Sequence, residues 1–238
     1  MHNSKIPEYI KERVIKRRGK LNIHEKINPK TTALLIIDMQ NCFIIPNLSI
    51  VEVPGVEAIA PNINKIAKSL RKSGGHIVWT KHRYTSEWIS WYENFCGKES
   101  RKKIIEDTKE GSFPGEIWSG MDVQKDDKII IKNRSSALAP DVFDLKKYLI
   151  KNNVDTLIIT GTLSNVCCES TTRDAMFLNY KTIFVEDANG TRSDEEHNST
   201  LINMIQFFAD VYGFLRFVGL RETERRVEVT AQPENHPE

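Results

Sequence analysis

The stretch LIITGTLSNVCCESTTRDA, residues 157–175, decides the fold. It runs from a continuous apolar strand pattern through one glycine, Gly161, into a polar segment with helical spacing, and two of the chain's four cysteines stand side by side at the junction. The same alternation recurs on either side of it. Residues 32–38 (TALLIID), 76–82 (HIVWTKH), 128–133 (KIIIKN), 155–161 (DTLIITG) and 181–187 (KTIFVED) are rich in β-branched residues and almost continuously apolar, the pattern of strands buried on both faces. Between them, residues 55–75, 141–153 and 165–180 carry helical periods, with Ile59, Ile63, Ile66, Ala67 and Leu70 on one face and Gly74-Gly75 as a helix stop. Strand and helix in repeated alternation imply right-handed crossovers, and so an open, mostly parallel α/β sheet with helices on both faces, a three-layer α/β/α sandwich.

The flanks read differently. Residues 1–30 form a basic arm whose Ile6, Tyr9, Ile10 and Val14 have helical spacing; it is expected to pack on the body or on a second subunit. Residues 31–220 make the domain, and the polar run 221–238 reads as a disordered tail. Residues 193–213 form a further helix with Ser193 as its N-cap and Glu196 completing a capping box, followed by a last strand at 214–218 (FLRFV). The insertion 85–125 is irregular and holds Trp88, Trp91, Phe95, Phe113 and Trp118, aromatic surface suited to a lid or a subunit contact.

Composition narrows the function. Among 238 residues, 34 basic side chains against 32 acidic ones leave a net charge of +2, which argues against nucleic acid or an anionic membrane as partner and for a small molecule. No apolar run reaches the roughly 18 residues of a membrane span, and the start of the chain lacks the apolar centre of a secretory signal. Cysteines at 42, 96, 167 and 168 have no metal spacing, so reduced thiols in the cytoplasm are expected.

In an open parallel sheet, ligands lie beyond the carboxyl ends of the strands. Asp38 ends the first strand pattern, Lys132 ends the third and Cys167 follows the fourth at a helix start. Taken singly, Asp38 reads as a turn cap and Lys132 as a solvated edge lysine. Cys167 differs, because the first turn of a helix favours thiolate over thiol. Cys168 lies about 100° further round and reads as core.

The segments LLIIDMQN (34–41), IIIKNRSSAL (129–138) and ITGTLSNVCCESTTRDA (159–175) resemble the three signature segments of the isochorismatase-like hydrolase superfamily, also called cysteine hydrolases, in order and spacing. The superfamily includes nicotinamidases, N-carbamoylsarcosine amidase and ureidoacrylate hydrolases. The resemblance implies a catalytic triad of Asp38, Lys132 and Cys167, a cis peptide between Thr162 and Leu163, an oxyanion hole from the backbone N–H groups of Leu163 and Cys167, no cofactor, and a homo-oligomer, dimer or tetramer. It implies attack of the Cys167 sulfur on a carbonyl, Asp38 moving the proton.

Two departures from the family qualify this. Nicotinamidases carry a metal-binding Asp-x-His pattern after the second strand, where this chain has His82 and Tyr84, so no metal is expected. Isochorismatases proper cleave a vinyl ether by protonation and can lack the cysteine, so Cys167 favours cleavage of an amide or ureide C–N bond. A vinyl ether hydrolase and a non-hydrolytic thiol protein on the same fold remain the alternatives. For the substrate, Arg83 and Arg134 are candidates to clamp a carboxylate and Asn41 to hydrogen-bond a polar group, set against the plainer reading that both arginines pair with surface acids. Nucleotide binding is disfavoured, since GTLSNVC offers one glycine where a dinucleotide fingerprint needs three.

Overall fold

All six residues of the first strand, β1 (Thr32–Ile37), are buried, as its unbroken apolar run requires. The computed structural model describes residues 1–85 and 93–214. In the arm lies α1 (Glu8–Arg18). After β1 come α2 (Asn41–Ile44), α3 (Ala60–Lys72), β2 (His76–His82), α4 (Glu93–Cys96), α5 (Lys98–Thr108), β3 (Lys128–Lys132) and α6 (Phe143–Lys151). Then follow β4 (Thr156–Thr162), a π-helical turn over Ser164–Cys168, α7 (Glu169–Phe177), β5 (Lys181–Gly190), α8 (Asp194–Asn203), a second π turn over Met204–Phe208, and β6 (Asp210–Tyr212).

The six strands pair in parallel in the order β3-β2-β1-β4-β5-β6. Strand order reverses between β1 and β4, which opens a crevice at their carboxyl ends. Leu34 and Ile36 of β1 pack into one layer with Ile63, Ile66 and Leu70 of α3. Leu35 and Ile37 point the other way, into a layer with Leu145 and Leu149 of α6, Cys168, Ala175 of α7 and Leu201 of α8. Alternate residues of one strand thus anchor both helical layers. Ile10 of the arm joins the second layer, and the arm's start is tied to α8, with Lys5 N donating to Asn198 Oδ1 at 2.7 Å and Asn198 Nδ2 to Asn3 O at 3.2 Å.

Gly161 is where backbone geometry dictates the residue. Its φ is +114°, and a Cβ there would stand 2.1 Å from the carbonyl oxygen of its β1 partner, Ile37. Only glycine lets the two central strands close up at the crevice. The peptide between Thr162 and Leu163 is cis.

Three local expectations change. The last described strand is Asp210–Tyr212, which pairs with Ile183–Val185 of β5; Phe214 is not in a strand, and the rest of the segment 214–218, like the tail 221–238, lies outside the described residues. The helix before it ends at Asn203 and runs through the π turn over Met204–Phe208 into β6. Ser193 does cap α8, accepting from Glu196 N at 3.2 Å, but the Glu196 carboxylate accepts from Thr191 Oγ1 and Arg192 N, so only half of the capping box forms. In the insertion, Trp88 and Trp91 lie outside the described residues, Phe95 and Phe113 are exposed, and Trp118 packs against the α3 layer. No described helix is long and apolar enough to cross a membrane.

Candidate active site

Asp38, Lys132 and Cys167 come from three different strand ends and meet in one buried cluster. The Lys132 Nζ lies 2.7 Å from Asp38 Oδ2 and 3.4 Å from Cys167 Sγ. Asp38 and Lys132 are almost completely sequestered from solvent, so this is an ion pair inside the protein and not a surface contact. Lys132 ends the edge strand two positions from β1, yet in register it stands beside His82 of β2, and from there its long side chain reaches Asp38. Lys132 Nζ also donates to the Arg134 carbonyl at 2.9 Å.

Asp38 is held from the neighbouring strand β2. Its backbone has φ 51°, in the left-handed region, and Thr80 Oγ1 donates to Oδ1 at 2.7 Å. The segment behind it is clipped by the insertion: Trp118 N donates to Met39 O at 2.9 Å, Asn41 N to Glu116 O at 2.9 Å and Cys42 N to Pro114 O at 2.8 Å.

Electrostatics fix the resting protonation. Burial raises the Asp38 carboxyl, but Lys132 and then His82 outweigh it and hold it well below the usual carboxylate range. Burial opposes the charge on Lys132, yet Asp38 and Cys167 raise its pKa above the ordinary lysine value. The Cys167 thiol is pushed up to about 12, chiefly by burial, which Lys132 counters only in part while Asp38 adds to it. The sulfur sits in a π turn ahead of α7, and its burial opposes the thiolate that a helix start was expected to favour. These shifts favour a carboxylate, an ammonium and a neutral thiol in the cluster.

His82 belongs to this cluster, a place the sequence pattern had assigned only to an absent metal site. Its Nδ1 lies 3.1 Å from Lys132 Nζ and 3.8 Å from Asp38 Oδ2, and its ring stacks on Tyr84 with centroids 3.9 Å apart. Gln40 clamps its backbone, accepting from His82 N at 2.7 Å and donating to His82 O at 3.1 Å. Thr80 and His82 alternate along β2 and so face one side of the sheet, a signal present in TKH once β2 is placed beside β1. Among the described residues, Asp38, His82 and Cys167 are the one trio able to hold a metal ion, their ligand atoms lying within 4.8 Å of one another. The Lys132 ammonium stands in their midst, where such a cation would go.

The substrate candidates stand further out. Asn41 is buried and its Nδ2 donates to Phe113 O at 2.8 Å. Arg83 pairs with Glu110 at 3.2 Å, and Arg134 pairs with Asp141. Arg83, Asp141 and Lys132 border one open cavity of about 340 Å³, together with Thr85, Asn133 and Asp144. The Leu163 and Cys167 amides flank the start and end of the loop that carries the sulfur.

The fold and this cluster define an open α/β protein with a carboxylate, an ammonium and a thiol at the switch point of its sheet. Residues 32–213 match the isochorismatase domain family, and the chain belongs to that family, which is hydrolytic. It is 30% identical over 186 residues to Nicotinamidase 3 of Arabidopsis thaliana, covering 76% of this chain and 84% of that one. It is 26% identical over 209 residues to ureidoacrylate amidohydrolase RutB of Caulobacter segnis, covering 81% and 87%. The solved structure of a cysteine hydrolase from Pseudomonas syringae pv. phaseolicola superposes with a TM-score of 0.71 at 26% identity, covering 83% of this chain and 95% of that one.

Proposed function

We propose that this chain is a cysteine amidohydrolase that cleaves a C–N bond of a small amide, carbamoyl or ureido compound through a thioester on Cys167. The observation that carries the reading is the buried Asp38–Lys132–Cys167 cluster, with one ammonium 2.7 Å from the carboxylate and 3.4 Å from the sulfur. Cys167 starts as a thiol, so its proton passes to Asp38 as sulfur attacks the carbonyl carbon. Lys132 stabilises the charge that develops on sulfur. The carbonyl π electrons move onto oxygen, which the Leu163 and Cys167 amides receive, donors of this kind contributing about 3 kcal/mol each. Collapse breaks the C–N bond; the nitrogen takes the proton from Asp38 and leaves as ammonia or an amine. Water then gives a proton to Asp38, attacks the thioester, and the expelled sulfur recovers that proton. The reaction needs no cofactor.

On this reading Arg83 and Arg134 recognise an acidic group of the substrate and Asn41 hydrogen-bonds a polar one. A substrate carboxylate must then compete with Glu110 and Asp141, which those arginines already hold. The thiol favours C–N cleavage over vinyl ether hydrolysis, for which sulfur has no role, and two of the relatives are named as a nicotinamidase and a ureidoacrylate amidohydrolase. The chain acts in the cytoplasm, as a dimer or tetramer, on a small molecule. A screen of small amides, carbamoyl compounds and ureides for ammonia release tests the reading. Wild type is expected to release ammonia from at least one of them and Cys167→Ala from none; a Cys167→Ala protein as active as wild type sinks it.

A further inference from the structure

We propose that His82 is a positioning residue: its Nδ1 accepts a hydrogen bond from the Lys132 ammonium and keeps that cation between Asp38 and Cys167. Its effect on turnover rests on the amidohydrolase reading, while its geometry does not.

The ammonium has three protons and no lone pair. Around Nζ stand Asp38 Oδ2 at 2.7 Å, Arg134 O at 2.9 Å, His82 Nδ1 at 3.1 Å and Cys167 Sγ at 3.4 Å. A nitrogen 3.1 Å from an ammonium can only be an acceptor, which places the imidazole proton on Nε2. The opposite tautomer would set N–H against N–H. The pKa of His82 agrees, lowered to about 4 by burial and then by Lys132, so the ring is neutral when the lysine is charged.

Position follows from rigidity. The ring is stacked on Tyr84 with an interplanar angle of 13°, and Gln40 fixes its backbone from both sides. Lysine is a flexible stem with a mobile head, and Asp38 alone would draw it toward the carboxylate and away from sulfur. His82 supplies an acceptor on another side. Nδ1 is 3.8 Å from Asp38 Oδ2, longer than a hydrogen bond and longer than its 3.1 Å approach to the lysine. Asp38, His82 and Cys167 form a cage of the kind that binds a metal ion, with a lysine as its resident cation.

The test has two arms. In protein labelled with ¹⁵N-histidine, NMR is expected to show His82 as the neutral Nε2–H tautomer between about pH 6 and 8, with an Nδ1 signal that moves on Lys132→Met. A proton on Nδ1 in the wild type overturns the proposal with no variant needed. In the ammonia-release assay, His82→Phe keeps the ring stack but removes the acceptor and is expected to lower kcat by about 10- to 100-fold with KM within about twofold. His82→Asn, whose Oδ1 can stand for Nδ1, is expected to recover most of that loss. A folded His82→Phe protein with wild-type kcat, or an Asn variant as impaired as Phe, overturns the proposal. If wild type releases no ammonia from any compound, the amidohydrolase reading fails, and the tautomer still decides the role of His82.

Discussion

Thr80 Oγ1 donates to Asp38 Oδ1 at 2.7 Å, and the Asp38 amide donates back to the same hydroxyl at 3.2 Å. This two-way clamp ties the end of β1 to β2 and leaves Oδ2 turned toward Lys132. Thr80→Val preserves shape but deprives a buried carboxylate oxygen of its donor, a loss of about 1–3 kcal/mol in stability. With Asp38 free to turn, kcat is expected to drop about tenfold, and Thr80→Ser to keep most of it. Urea denaturation and the ammonia assay check this; wild-type values for Thr80→Val in both would refute it.

Gly161→Ala is expected to be among the most damaging single substitutions in the chain. It adds a Cβ 2.1 Å from Ile37 O at a residue whose φ is +114°. Strand separation or local backbone rearrangement must follow, with a loss of about 4 kcal/mol or more. The urea midpoint measures it, and Gly111→Ala, where φ is +74° but no atom lies within 4 Å, serves as a milder control.

Acid weakens the fold through two buried histidines. His82 and His197 are both lowered to about 4, chiefly by burial, against an ordinary value of 6.5. The unfolded chain therefore takes up protons that the folded one refuses, so stability is lost as pH falls from 6.5 toward 4. At 1.36 kcal/mol per pKa unit this is about 3 kcal/mol for each histidine. Glu186 and Asp187, raised by burial, act in the opposite sense in the carboxylate range. The predicted result is a lower urea midpoint at pH 4.5 than at pH 7, with a smaller drop in His197→Asn. Equal midpoints at the two pH values would contradict the assignment.

Arg83→Ala and Arg134→Ala separate substrate recognition from surface pairing. If both arginines bind an acidic substrate group, each substitution raises KM about tenfold or more with little change in kcat. Unchanged KM in both variants confines them to their pairs with Glu110 and Asp141. Surface pairs of that kind contribute about 0–1 kcal/mol, so stability is expected to move little in either case.

Much of the layout was legible in the chain itself, for definite reasons. Continuous apolar runs mark parallel strands, and the polar residues Asp38, Lys132 and Cys167 stand out at their ends. What stayed hidden depends on distance. Thr80 and His82 become neighbours of Asp38 only through the register of β2 beside β1, which no local period encodes. The burial of the Cys167 thiol is hidden likewise, because a helix start is a local feature whereas burial is a property of the whole fold. Arg83 and Arg134 find Glu110 and Asp141 across loops. Asp210–Tyr212 read as a helix end because three residues are too few to show a strand period.

Mass spectrometry of protein quenched in acid during turnover of its best amide or ureide tests the thioester on Cys167 most directly. An acyl or carbamoyl adduct is expected on the peptide that holds Cys167, absent from Cys167→Ala, with Cys168 unmodified. Turnover of that substrate by Cys167→Ala at the wild-type rate, with no adduct on Cys167 in the wild type, would contradict it.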